Sequence, residues 1–323
     1  MIISRTPYRI SFFGGGTDYP VWFREHGGAV LGTTIDKYCY ISVKWLPPFF
    51  EEKYRLTYST VERAKNLDEI QHPSARECLR FLRIHEGVAI THDGDLPARR
   101  GMGTSSAFTV GLLNALHTLQ GKRLWKEELA NEAFWVEQQL AKETVGCQDQ
   151  IFAAFGGFNH TVFREGGTAV STARVPNAEE LEKYLMLFDS GTSRTASDIA
   201  KKQVEDIGLH VKELEEMEKL VEIALQLLRN QQFLGFGHLL NGGWHLKKRL
   251  SPWISTTRID AIYESAFRAG ALGGKLLGAG AGGFLLFFVV PEKQEKVKKA
   301  LEDLVYVPFR FDNTGSQIIY EGS

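Results

Sequence analysis

Cysteine is scarce in this chain of 323 residues: Cys39, Cys78 and Cys147 are an odd set of three with no C-x-x-C pair. That pattern argues against a disulfide framework or a zinc site and suits a reducing compartment. Long apolar runs are missing as well, since the longest, Phe284–Val290, falls far below the ~18–20 residues a membrane helix requires. Neither sign of charge dominates, with 38 Lys+Arg facing 39 Asp+Glu. A formal net charge of -1 gives no long-range field to draw in nucleic acid or an anionic membrane, so an anionic partner must be held by a local cluster of donors. Met1–Thr6 enters a strand-like segment without a basic stretch and a long apolar one, so no secretory signal is read and a cytoplasmic location is expected. The hydrophobic fraction of 43% excludes disorder and fibrous repeats. The length suggests two domains, or one large one.

Glycine, by contrast, is plentiful at 32 residues, concentrated at Gly14-Gly15-Gly16, at Gly101-Met102-Gly103 and from Gly270 to Gly283. Around these clusters the pattern predicts strands at 8–13, 29–35, 38–43, 87–91 and 158–163, where β-branched and aromatic residues collect. Helices are expected at 105–119, 126–140 and 149–155. In the second of these, Leu129, Ala133, Val136 and Leu140 recur at helical spacing. Polar passages at 164–167 and 176–182 mark the best boundary, giving domains at 1–172 and 173–323. The second half reads as a strand at 184–188, one long amphipathic helix at 211–233, a helix at 258–269, the strand 284–290, a charged helix opened by Pro291, and strands at 305–311 and 317–320. The fold class is α+β with two domains.

Gly278-Ala279-Gly280-Ala281-Gly282-Gly283 matches GxGxxG, but a dinucleotide-binding loop must follow a strand and open a helix. Here the glycines follow a helix and enter a strand, so that reading fails on context. The segment from Leu96-Pro97 through Gly101, Met102, Gly103, Thr104, Ser105 and Ser106 to Ala107 is more informative. Glycines let the backbone approach a ligand, and a hydroxyl trio at a helix start can cap it, leaving amides, dipole and hydroxyls for a phosphate. An ordinary turn with a Ser/Thr cap is the other reading. Glu137 sits at the margin of a buried helix face, and Asp149 follows a short break at Gly146-Cys147-Gln148. One carboxylate for Mg²⁺ and one to accept a hydroxyl proton are what phosphoryl transfer requires beside a phosphate cradle. Taken singly, each reads first as a salt-bridge or cap residue; the cradle beside the pair shifts the reading toward chemistry.

With these residues in view, the chain resembles the small-molecule kinases of the galactokinase, homoserine kinase, mevalonate kinase and phosphomevalonate kinase (GHMP) superfamily. Three motifs match in order: Pro7 to Asp18, Pro97 to Ala107 and Lys275 to Gly283. The Gly-Gly-Gly-Thr-Asp form of the first most resembles the bacterial kinases of D-glycero-D-manno-heptose 7-phosphate. The resemblance implies a ribosomal-protein-S5-like N-terminal α/β domain and a ferredoxin-like C-terminal α+β domain. It implies ATP and Mg²⁺, with Pro97, Gly101, Met102, Gly103, Thr104, Ser105 and Ser106 around the nucleotide phosphates and Ser105 and Glu137 as metal ligands. Asp149 matches the catalytic aspartate and Arg9 its basic partner. Gly15, Gly16, Thr17 and Asp18 match the sugar-binding segment, and Gly280 lies in the motif that closes over the site. Met102 stands where the family usually has Leu, Thr104 where it has Ser, and Ala98-Arg99-Arg100 is more basic than usual. The implied reaction is ATP-dependent phosphorylation of a phosphosugar at its anomeric hydroxyl, with other anomeric sugar kinases or a catalytically silent sensor as alternatives.

Gly191-Thr192-Ser193-Arg194 opens a helix rich in hydroxyls; Arg194 grips a substrate phosphate or stands exposed at a capped helix start. His160, His238 and His245 are scattered and read as structural, and Trp22-Phe23 as core packing. Oligomeric state is not legible in the sequence.

Overall fold

The computed structural model describes residues 1–172, 175–192 and 196–322. The first half is a large mixed sheet backed by helices. Strand β1 (Ile2–Phe13) is followed by the short helix α1 (Pro20–His26) and the long β2 (Gly28–Trp45). The hairpin β3 (Tyr54–Thr57) and β4 (Val61–Ala64) leads to α2 (Pro73–Phe81) and β5 (Val88–Gly94). Helices α3 (Thr104–Leu119), α4 (Lys126–Trp135) and α5 (Gln148–Phe155) follow, then the hairpin β6 (Asn159–Arg164) and β7 (Gly167–Thr172). What the sequence pattern reads as two strands at 29–35 and 38–43 is the single β2. It pairs with β1 along most of its length, with β6 at Gly28–Gly32 and with β5 at Cys39–Trp45. One strand thus serves four neighbours, the fourth being a short C-terminal strand at Thr34–Ile35, and burial on both faces over Gly28–Ile35 removes the alternation there.

The second half adds α6 (Ala178–Glu182), β8 (Leu185–Asp189), α7 (Ala196–Glu205), α8 (Val211–Arg229), α9 (Phe233–Arg249) and α10 (Thr257–Ala269). The hairpin β9 (Ala271–Leu276) and β10 (Phe284–Val289), α11 (Gln294–Ala300) and β11 (Val305–Val307) complete a four-stranded antiparallel sheet in the order β11-β8-β10-β9. Two last strands, β12 (Phe311–Asp312) and β13 (Gln317–Glu321), return to the first sheet on β2 and β1. Pro308 lies in the gap where the expected 305–311 strand divides between the two sheets, as a residue without an N–H to donate would. The expected boundary near residue 172 coincides with the end of β7, while the chain's last strands cross back over it.

Three further departures have physical causes. The helix expected over 211–233 is two, broken at Asn230–Gln232 where Gln231 takes φ 56. Helix α9 escapes the pattern because it carries four glycines, and close packing needs at least one of them. A Cβ on Gly237 would sit 2.5 Å from the Phe288 ring, and one on Gly273 of β9 would sit 2.1 Å from the Gly237 carbonyl. Finally, α4 ends at Trp135 and Val136–Leu140 continues as a single π-helical turn, a wider winding that recurs at functional sites.

The core is shared between the sheets. Leu185, Leu187, Leu286 and Phe288 join the apolar cluster of the first sheet, while Met186, Phe188, Leu285 and Phe287 face the second cluster with Trp244, Ile254 and Tyr263. Strands β8 and β10 are therefore buried on both faces, which makes the second sheet a divider between two cores. Among the described residues, no helix is long and apolar enough to cross a membrane.

Candidate active site

Arg9 lies on β1 and Asp149 in the first turn of α5, 140 positions apart. The guanidinium meets the carboxylate through two parallel hydrogen bonds, Nε to Oδ1 and Nη2 to Oδ2, both 2.7 Å. Its remaining arm donates from Nη1 to the Gly101 carbonyl at 2.6 Å, and the Arg9 amide donates to the Met102 carbonyl at 3.1 Å. Arg9 is 5% exposed, so this fork is held in a dry, rigid setting where bidentate geometry counts most. The Asp149 side chain keeps 24% of its surface open, leaving a face from which to meet a ligand.

Gly103, whose φ of 71 is left-handed, precedes the first turn of α3, and among the described residues no side chain caps the helix. The hydroxyls expected to cap this helix lie inside its first turn and turn elsewhere. Thr104 Oγ1 accepts from the Arg99 amide at 3.2 Å, Ser105 Oγ donates to Glu143 at 3.4 Å and Ser106 Oγ donates to Glu137 at 2.8 Å. The first amides of a 16-residue helix are thereby left without a side-chain acceptor, the arrangement that favours an anion. Met102 is fully buried and contributes backbone only, and Pro97 is exposed at the loop entrance. The loop leans on the third glycine cluster: a Cβ on Gly101 would meet the Leu277 carbonyl at 2.3 Å, and the Phe284 amide donates to the Arg100 carbonyl at 3.2 Å. Those later glycines join β9 to β10 as a hairpin, consistent with rejecting the dinucleotide reading.

Glu137 was expected at the edge of a buried face; the π turn carries it fully inside. Its Oε1 accepts from Thr109 Oγ1 at 2.8 Å, and its Oε2 from Ser106 Oγ and the Gln150 side-chain amide. The serine on Glu137 is thus Ser106, while Ser105, one residue and some 100° around the helix, faces Glu143. Burial pushes the Glu137 carboxyl up to about 7, and the neighbouring Glu143 adds to it. Glu143 is itself raised by burial and drawn back by hydrogen bonds and Arg99. Neither glutamate makes an ion pair among the described residues. Two close carboxylates and three hydroxyls form an all-oxygen set that fits a hard dication such as Mg²⁺.

Asp18 closes the other side. Its carboxylate is 2% exposed and accepts from the amides of Gly16 at 3.0 Å and Gln148 at 3.3 Å. Burial raises its pKa, and Asp149 adds to the rise. Gly146 presses against it so closely that a Cβ there would fall 1.9 Å from Asp18 Oδ2. Thr17 is spent on backbone, its hydroxyl donating to the Gly14 carbonyl at 2.8 Å and accepting from the Ala29 amide at 3.1 Å. Gly280 packs on the Ile254 backbone. Arg194 lies outside the described residues, and the Arg100 guanidinium is engaged by Asp189. A cavity of about 430 Å³ lined by Phe23, Arg24, Phe134, Cys147 and Arg164 lies beside α1 and does not include the Arg9–Asp149 pair.

Sequence reasoning passed over two residues here. Glu143 sits in an irregular stretch with no periodicity to mark it. Lys247, half-buried in the last turn of α9, donates to the carbonyls of Leu276 and Gly278. Loss of water drops its pKa to about 7, with Arg9 adding to the fall. Lys275 donates from its buried ammonium to the Phe12 carbonyl at 2.7 Å, tying the third glycine motif to the first.

The family described as GHMP kinases N terminal domain matches residues 69–157, and GHMP kinases C terminal matches residues 210–307. The chain is 30% identical over 315 residues to the D-glycero-alpha-D-manno-heptose 7-phosphate kinase of Campylobacter jejuni, covering 93% of each. It is 24% identical to the bifunctional fucokinase/GDP-fucose pyrophosphorylase of Arabidopsis thaliana, covering 92% of this chain and 31% of that protein. A crystal structure titled as a D-glycero-D-manno-heptose 1-phosphate kinase from Bacteriodes thetaiotaomicron shares the fold with a TM-score of 0.83, at 23% identity over all of both chains. The Lactococcus lactis galactokinase complexed with galactose does so with a TM-score of 0.77 at 15% identity, over 98% of this chain and 94% of that one. The chain belongs to the GHMP kinases and is an ATP-dependent kinase.

Proposed function

We propose that this kinase transfers the γ-phosphoryl group of ATP to the anomeric hydroxyl of D-glycero-D-manno-heptose 7-phosphate, giving the 1,7-bisphosphate. The observation that carries the reading is the Arg9–Asp149 fork set between two devices. On one side are the uncapped amides of α3, suited to the nucleotide phosphates. On the other is the Gly-Gly-Gly-Thr-Asp segment with its buried Asp18, suited to sugar hydroxyls. The heptose 7-phosphate kinase relative, matched over nearly its full length, supports the choice of sugar.

Asp149 receives the hydroxyl proton as the sugar oxygen bonds to phosphorus and the bond from phosphorus to the ADP oxygen breaks. Arg9 keeps that carboxylate in place and puts positive charge beside the transferred group. The phosphoryl transition state is mainly positioned and screened, so little more is asked of the protein. Ser105, Ser106, Glu137 and Glu143 would hold Mg²⁺, which neutralises phosphate charge when bound. Division of the chain into a nucleotide-loop domain, 1–172, and a closing domain, 173–323, belongs to the same reading.

Purified protein with ATP, Mg²⁺ and a panel of free and phosphorylated sugars tests it through ADP release. Turnover of heptose 7-phosphate well above that of free galactose or fucose supports the reading. The reverse ranking transfers the assignment to another anomeric sugar kinase.

A further inference from the structure

Arg9 and Ser11 are two residues apart in a regular stretch of β1, so their side chains leave the same face of the strand. Opposite them, Gln148 and Asp149 are neighbours in the first turn of α5. One of these two facing pairs is closed by the Arg9–Asp149 fork. The other is open. Ser11 is 7% exposed, yet among the described residues its buried Oγ has no hydrogen-bond partner, and neither has the buried Oε1 of Gln148.

Both side chains border one small notch at Gly15. A Cβ placed on Gly15 would have Ser11 Oγ at 3.5 Å and Gln148 Nε2 at 3.6 Å, with nothing else within 4 Å. Asp18 adjoins it, its carboxylate accepting from the Gln148 amide at 3.3 Å. Leaving a buried donor or acceptor unpaired is unfavourable; a sugar hydroxyl seated in the notch would pair with Ser11 Oγ and take a hydrogen bond from Gln148 Nε2, or give one to Oε1 with the amide turned over.

We infer that Ser11 and Gln148 are specificity-determining residues that bind a hydroxyl of the sugar ring close to the reacting anomeric centre. The inference rests on the sugar-kinase reading above and assigns residues that the glycine and aspartate motifs do not. A sugar bearing the hydroxyl completes the pair, and a deoxy analogue leaves both groups unpaired, which is how polar sites discriminate most strongly.

The test compares wild type, Ser11→Ala, Gln148→Leu and Gly15→Ala, with kcat and KM measured for heptose 7-phosphate, for its 2-deoxy and 3-deoxy analogues and for ATP. Gly15→Ala is informative because its methyl group would make ordinary contacts in a backbone that is not left-handed. It should fold normally, with an unchanged melting temperature, and still fill the notch. Each variant is expected to raise the sugar KM roughly 10- to 100-fold while ATP KM stays within about twofold, and to shrink the wild-type preference over one deoxy analogue. Retention of the full wild-type preference, or an equal rise in both KM values, overturns the inference alone. Absence of turnover with every sugar by the wild type overturns the sugar reading and this inference with it.

Discussion

Among the described residues, Asp149 depends on Arg9 for its position, because both of its oxygens are held by one buried guanidinium. Asp149→Asn keeps the shape but loses the charge that receives the proton and faces Arg9. The account expects kcat to fall about 10²- to 10⁴-fold with ATP KM little altered, as steady-state kinetics would show. Gly146 matters for proximity. An added methyl would land on the Asp18 carboxylate, so Gly146→Ala should raise the sugar KM by tenfold or more, about what one displaced charge-assisted contact supplies, and leave ATP KM alone. At this scale the sequence was informative up to a point. Arg9, Asp18 and Asp149 can be named from their motifs, and the structure brings the three together. Ser106 was not separable from Ser105 as the partner of Glu137, because adjacent residues on a helix differ only in direction.

The element that shapes the proposed metal side is the π turn at Val136–Leu140. Helical spacing in the sequence extends smoothly through it, so a reader of periodicity continues the α-helix and leaves Glu137 at the margin. The wider turn instead rotates the carboxylate inward onto Ser106, Thr109 and Gln150. Burial there has a pH consequence. With its pKa lifted to about 7, Glu137 keeps a proton in the folded protein that the unfolded chain has already released. Stability therefore falls as pH rises from the ordinary glutamate range to about 7, and levels off above it. Melting temperatures measured without divalent cations across that window should show this decline in the wild type and a smaller one in Glu137→Gln. Equal slopes would contradict the assignment. Mg²⁺ should bind more tightly as pH rises through the same window, since it requires the ionised form. Helix α9 was illegible for a different reason: its glycines lower helix propensity, and close packing against β9 and the Phe288 ring accounts for one of the four, Gly237.

Over the whole molecule, the two halves share an apolar core, and a few specific ties join them beside the site. Lys275 reaches the Phe12 carbonyl, Arg100 of the phosphate loop engages Asp189 at the end of β8, and the second glycine cluster lies against the third. The Arg100 and Asp189 side chains are 21% and 15% exposed, so their coupling should exceed that of a surface pair. A double-mutant cycle on Arg100→Ala and Asp189→Ala should return about 1–3 kcal/mol of interaction energy by denaturant unfolding. A value near zero would mean that the loop is held by backbone packing alone. The sequence could not show these ties, or the return of β12 and β13 to the first sheet, because long-range pairing leaves no local periodicity. The near-zero net charge is in keeping with a site that catches anionic substrates with placed groups, not a basic surface.

The most direct measurement is ³¹P NMR of the product made from ATP, Mg²⁺ and heptose 7-phosphate carrying ¹³C at the anomeric carbon. The account predicts a second phosphate resonance split by coupling to that carbon, formed by the wild type and not by Asp149→Asn. A new phosphate without the coupling, inorganic phosphate alone, or equal product from Asp149→Asn would contradict it.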